Sequence, residues 1–182
     1  MQDNLSLDIT APTITIFGNT MDTTPIQVRV GDFIPYLYIQ PSVEISVDAL
    51  QSFILGNFAK AKCLGIEKVY KQSIYGYSDK KSVFYKVYFN NPSSFRSAKA
   101  FFENGITLEQ KKVKFKIFES NFPYILRFMN DLNLSGMSYL RVRNYKTEST
   151  DPFVISTESS FIEQLPFEGE YNKSYTIENF KL

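Results

Sequence analysis

SVFYKVYFNNPSSFRSAKAFFENGITLEQKKVKFKIF, residues 82–118, decides how the chain folds. Ser82 to Phe89 alternates with a period of two, the spacing of a strand whose faces meet different surroundings. Asn91 can cap a helix with Pro92 at its first position, where the missing N–H costs nothing. Phe95, Ala98, Phe101 and Phe102 then recur at helical spacing as a buried face, and Gly105 can end the helix. Val113 to Phe118 alternates again, so the stretch reads strand, helix, strand.

The preceding residues repeat that pattern. Pro35 to Ile39 reads as a strand, and Val43 to Lys62 as a helix through Val47, Leu50, Phe53, Ile54 and Phe58. Ile66 to Ile74 is a strand, joined to the next by a loop with Gly76, Asp79 and Lys80–Lys81. From Pro35 to Phe118 the order is strand, helix, strand, strand, helix, strand. It predicts an α+β fold, an antiparallel sheet with a split βαβ core and both helices on one face. Ile14 to Phe17 and Ile26 to Val30 add an N-terminal hairpin.

An added helix follows over residues 121–132. Ser120 or Asn121 can cap it and Pro123 suits its first turn. Phe122, Ile125, Leu126, Met129 and Leu132 form its apolar stripe, with Arg127, Asn130 and Asp131 opposite. Gly136 can end it, and Ser138 to Val142 alternates like a strand. Beyond Asn144 the chain turns acidic, with seven acids against three lysines, and keeps strand-like pieces at Phe153–Ile155 and Tyr175–Ile177. The expected division is a domain over residues 1–143 and an acidic extension over 144–182.

A chain of 182 residues suits one domain with room for a tail. Its 17 Phe and 12 Tyr, with no Trp, favour strands and large ring contacts. No stretch is apolar enough to span a membrane and MQDNLSLDIT is no signal peptide, so a soluble intracellular protein is expected. One cysteine, Cys63, excludes an internal disulfide and fits a reducing compartment. The net charge of +1 hides a balance of −5 over residues 1–59, +9 over 60–116 and −3 over 117–182. A basic middle can be a footprint for phosphates or simply a solvated face.

Without histidine, Ser–His and Cys–His catalysis and His-ligated metals are excluded. Cys63, in the helix-end context AKAKCLG, reads as a small packed residue. Phosphate-binding glycine loops are absent. The sheet is more suggestive. If the strand registers align, its uncovered face offers Tyr36, Tyr38, Lys86, Tyr88, Lys114 and Lys116. Rings interleaved with lysines suit a single strand, each stacked base contributing roughly 1–3 kcal/mol. The competing reading packs those tyrosines under neighbouring elements. The Lys/Arg-Gly-aromatic string of RNA-recognition domains is absent, which weakens a pure RNA-binding reading.

Four strings in order resemble the N-terminal domain of the family-B DNA polymerases. They are ITIFGNTMD (14–22), GDFIPYLYIQ (31–40), SIYGYSDKKSVFYKVYFNNP (73–92) and FESNFPYILRFMNDLNLSGM (118–137). The resemblance covers roughly residues 12–143 and implies a nuclear replication or translesion enzyme. This portion would scaffold it, packing on exonuclease-like and palm domains and guiding single-stranded template DNA, with polymerase accessory subunits as further partners. The family's Asp-x-Glu proofreading and Asp-Thr-Asp polymerase strings do not occur here, so the chain alone should be catalytically silent. No cofactor is expected in it, and the Mg²⁺ ions belong to the parent polymerase. An independent single-strand-binding module and a protein-interaction domain are the rival readings.

Overall fold

The computed structural model describes residues 12–57, 63–72, 81–108 and 110–166. Its strands and helices begin with β1 (Ile14–Asn19), β2 (Pro25–Val30), β3 (Tyr36–Pro41), α1 (Val47–Gly56), β4 (Cys63–Gln72) and β5 (Lys81–Phe89). Then come α2 (Ser94–Glu103), β6 (Ile106–Leu108), β7 (Lys111–Val113), β8 (Phe115–Phe118) and α3 (Tyr124–Asp131). β9 (Leu140–Val142), β10 (Lys146–Thr147), β11 (Val154–Thr157) and β12 (Ile162–Gln164) complete the set. These elements form two compact units, one within residues 34–122, the other joining the segment before 34 to that after 122.

In the first unit the sheet order is β4-β5-β3-β8, every neighbour antiparallel. Period-two alternation turns Leu37, Ile39, Tyr85, Val87, Phe89 and Phe115 to one face, where they meet Leu50 and Ile54 of α1 and Phe95, Ala98 and Phe102 of α2. Edge-to-face ring pairs tighten the contact, with centroids 5.2 Å apart for Phe89–Phe95 and 5.3 Å for Phe102–Phe115. Tyr85 keeps its polar tip satisfied by donating to the Ile45 carbonyl at 2.5 Å. This α+β layering follows the sequence pattern, with shorter helices.

Three local expectations change. α2 begins at Ser94 rather than Pro92, because Asn91 Oδ1 accepts the Ser94 N–H at 3.2 Å and holds residues 91–94 in a turn. Cys63 opens β4 instead of ending a helix, and is wholly buried. Residues 106–112, which no sequence pattern assigns, form with Val113 the β6–β7 hairpin, in which Ile106 pairs with Val113, so the strand expected over Val113–Phe118 is divided between β7 and β8. Gly105 makes that hairpin possible. Its φ is +71°, and a Cβ there would lie 2.9 Å from the Val113 carbonyl oxygen.

In the second unit the sheet order is β1-β2-β11-β10. β1–β2 and β10–β11 are antiparallel hairpin ladders, whereas β2 and β11 are parallel. Residues beyond 144 are thus woven onto the N-terminal hairpin. The compact units divide the chain at 33/34 and 122/123. Tyr175–Ile177 lies outside the described residues. Asp32 helps tie the unit together, its carboxylate accepting the Ser159 N–H at 2.8 Å and the Ser159 hydroxyl at 2.7 Å.

α3 turns its expected face around. Ile125 and Leu126 are 51% and 49% exposed, while Arg127 and Phe128 are each 1% exposed. The reason is an aromatic anchor: Phe33 lies edge-on to Phe128 at 5.2 Å and tilted against Tyr124 at 5.6 Å. The Tyr124 hydroxyl donates to the Phe33 carbonyl, adding a directional bond that an aliphatic stripe cannot match. The ends differ too. Pro123 stands at the N-cap without a side-chain cap, so neither Ser120 nor Asn121 supplies one. At the other end Asn133, with φ +52°, takes the left-handed position assigned to Gly136. The Leu134 N–H reaches the Met129 carbonyl at 2.7 Å and the Asn133 N–H the Asn130 carbonyl at 3.2 Å, a Schellman closure. Asn tolerates that conformation because its short polar side chain bonds locally.

Candidate nucleic-acid interface

The face of the first sheet opposite α1 and α2 is set by register. Tyr36 pairs with Tyr88, Tyr38 with Lys86, and Gln40 with Lys116. Lys114 continues β8 by one more alternation, held where its N–H donates to Ser42 Oγ at 3.2 Å and its carbonyl accepts the Ser42 N–H at 2.8 Å. Tyr36, Tyr38, Lys86, Tyr88, Lys114 and Lys116 therefore share one side of the sheet.

They do not share one exposure. Lys114 and Lys116 are exposed, and Lys86 and Tyr88 half-buried. Tyr36 and Tyr38, expected as open stacking platforms, are only 4% and 5% exposed. Their rings meet edge to face at 5.4 Å. Lys86 Nζ sits 3.9 Å from the Tyr36 centroid and 5.1 Å from that of Tyr88, and Lys71 Nζ sits 4.0 Å from the Tyr38 centroid. A Lys ammonium over a ring contributes about 0.5–2 kcal/mol and occupies the surface a base would need. Cross-strand lysines thus lie against the two rings, in keeping with the reading that packs these tyrosines rather than leaving them open.

Tyr88 is also engaged. Its hydroxyl donates to Glu67 Oε2 at 2.6 Å. Burial first, and then that carboxylate, push its pKa well above the ordinary tyrosine value. Glu67 stands opposite Lys86 across β4–β5, which puts one negative charge into the middle of the lysine pattern.

Sequence reasoning missed Lys71, Lys111 and Lys112. Lys71 follows from alternation along β4, once its pairing with Ser82 is known. Lys111 and Lys112 are exposed on the β6–β7 hairpin, and the signal was the run KKVKFK, whose Val113 and Phe115 point inward.

No protein-family profile matches the chain. Among curated proteins it is 33% identical to the DNA polymerase delta catalytic subunit of Schizosaccharomyces pombe over 143 residues, 72% of this chain and 13% of that protein. It is 31% identical to the DNA polymerase zeta catalytic subunit of Drosophila melanogaster over 147 residues, 72% of this chain and 7% of that protein. The solved structure of the family B DNA polymerase from the archaeon Pyrobaculum calidifontis superposes with a TM-score of 0.63. That likeness covers 86% of this chain and 18% of the archaeal one at 15% identity, so it speaks for the fold.

These matches place the chain with the N-terminal domains of the family-B DNA polymerases. Within that family it is similar to the delta and zeta catalytic subunits, and it corresponds to a small non-catalytic part of them. The resembling strings are joined physically: Phe33 of GDFIPYLYIQ packs on Tyr124 and Phe128 of FESNFPYILRFMNDLNLSGM.

Proposed function

We propose that this chain is the N-terminal scaffold of a DNA-directed DNA polymerase acting in nuclear replication or translesion synthesis, and that it helps guide single-stranded template. The observation that carries this reading is the run of similarity to delta and zeta catalytic subunits across 72% of the chain. The strand order β4-β5-β3-β8, with α1 and α2 as crossovers, supports a split βαβ core for residues 35–118. Residues 1–143 would be the polymerase domain proper, with 144–182 leading towards an exonuclease-like domain. The strand Pro35-Tyr36-Leu37-Tyr38 and the pairs Asn91-Pro92 and Pro123-Tyr124 favour zeta, with delta as runner-up.

Scaffolding is supported by the surface of the second unit. β1, β2 and β11 with α3 and residues 134–142 line an apolar groove of about 850 Å³. Phe17, Met137, Tyr145 and Phe153 stand exposed along it. Apolar surface of that kind marks a contact with another protein surface, here the remaining polymerase domains or accessory subunits.

Among the described residues no group of three or more Asp, Glu or Cys could hold a metal ion. We assign the polymerase Mg²⁺ to other parts of the parent protein because the family's Asp-x-Glu and Asp-Thr-Asp strings do not occur in this sequence. Primer extension with Mg²⁺ and all four deoxynucleotides tests the division of labour. The chain alone should extend nothing, and should bind oligothymidylate weakly with strong salt dependence. Nucleotide incorporation, or tight sequence-specific binding, would refute the scaffold reading.

A further inference from the structure

Resting on the template-guiding reading, we infer that the chain holds nucleic acid by its phosphates, along the β7–β8 edge. Lys111, Lys112, Lys114 and Lys116 form the strip, and the tyrosine face takes no stacked bases.

Four observations carry it. Residues 110–118 hold four lysines and no acid. All four lysines are exposed, and among the described residues none makes an ion pair. Their backbone is held firmly. Val113 and Phe115 are buried in the core on either side of Lys114, and Ser42 brackets Lys114 through two hydrogen bonds. The Val113 carbonyl packs so closely on Gly105 that a Cβ there would lie 2.9 Å from its oxygen. On the tyrosine face, by contrast, Tyr36 and Tyr38 are buried, with the ammonium groups of Lys86 and Lys71 lying 3.9 and 4.0 Å from their ring centroids. A row of exposed ammonium groups on a held edge, with the Phe118 ring already 5.2 Å from Lys116 Nζ, matches a polyphosphate chain and ignores base identity.

Salt-dependent fluorescence anisotropy of the 182-residue chain with labelled oligothymidylate tests this. For a single strand the log–log slope is about −0.7 per neutralised phosphate, so four lysines should give about −3. K111Q/K112Q should lower the slope magnitude by about 1.4 and weaken binding equally for thymine and adenine oligomers, with circular dichroism unchanged. Lys86→Gln and Tyr88→Ala should leave the slope as it was. If K111Q/K112Q binds normally while Lys86→Gln or Tyr88→Ala does not, the phosphate-edge inference fails and template guiding survives. If the unaltered chain binds no oligonucleotide at low salt, both fail. Capture of polyglutamate in preference to oligothymidylate would overturn the inference in favour of an acidic protein partner.

Discussion

Replacing Phe128 with alanine should damage the second unit far more than replacing Leu126, although the sequence pattern predicts the reverse. Phe128 is 1% exposed and meets Phe33 edge to face at 5.2 Å, so its truncation loses both transfer energy and a filled cavity. Such changes cost about 3–5 kcal/mol. Leu126 is 49% exposed, so only about half of its side chain's roughly 1.5–3 kcal/mol burial gain is present to lose. Leu126→Ala should therefore cost about 1 kcal/mol. Urea unfolding followed by circular dichroism reads the difference. With a slope of about 2 kcal/mol per molar, Phe128→Ala lowers the midpoint by about 2 M and Leu126→Ala by about 0.5 M. If Phe128→Ala fails to fold, Phe128→Leu supplies the comparison, because it leaves a smaller cavity. Equal shifts, or a larger one for Leu126→Ala, would refute the aromatic anchor and restore the aliphatic stripe.

Gly105→Ala should destabilise the first unit by about 1–2 kcal/mol from its left-handed backbone alone, with the contact at the Val113 carbonyl adding to it; an unchanged urea midpoint would refute the turn geometry. Tyr124 has its pKa pushed up to about 12 from 10, by burial first and then by the Asp32 charge. The folded state thus prefers the protonated phenol, and the stabilisation present below pH 10 is lost as pH rises towards about 12. Tyr124→Phe should flatten that alkaline decline, which urea midpoints measured across the range would show. The Cys63 thiol is pushed up to about 12 by burial, so a thiol reagent at neutral pH should modify the chain only at its unfolding rate. Rapid labelling under native conditions would contradict the wholly buried start of β4.

The first unit was legible because its signals are local and redundant. Alternation in Ser82–Phe89 and Phe115–Phe118, together with Phe95, Ala98 and Phe102 on one helix face, points to a single arrangement. The β6–β7 hairpin escaped since its strands have three residues each, too few for a period to show, and its turn places the non-glycine Gln110 at φ +64°. α3 misled for a different reason. Its stripe Ile125, Leu126, Met129 is real as a pattern, but burial was settled by Phe33, which lies 95 residues before Phe128 in sequence. Parallel pairing of β11 with β2 was equally invisible, because Val154–Thr157 is a weak strand until Gln27–Val30 lies beside it.

The candidate site shows the same limit at the level of chemistry. Alternation put six side chains on one face correctly, but cannot say what the lysines on that face already bind. Lys86 and Lys71 stand four strand positions or fewer from their rings across the β3–β5–β4 ladders, close enough for an intramolecular cation–π contact. A base stacking on Tyr36 or Tyr38 would gain roughly 1–3 kcal/mol. It would first have to displace an ammonium group contributing about 0.5–2 kcal/mol, and also open rings already shielded from solvent. Those costs consume most of the gain. Lys116 Nζ lies 5.2 Å from the Phe118 centroid, farther than the 4.0 and 3.9 Å of Lys71 and Lys86, while Lys111, Lys112 and Lys114 stand exposed beside Val113 and Phe115, which are spent on the core. Interleaved aromatics and lysines on a sheet are therefore ambiguous by themselves. When the rings are buried, the unpaired lysines at the edge are the better guide to where an anionic chain can lie.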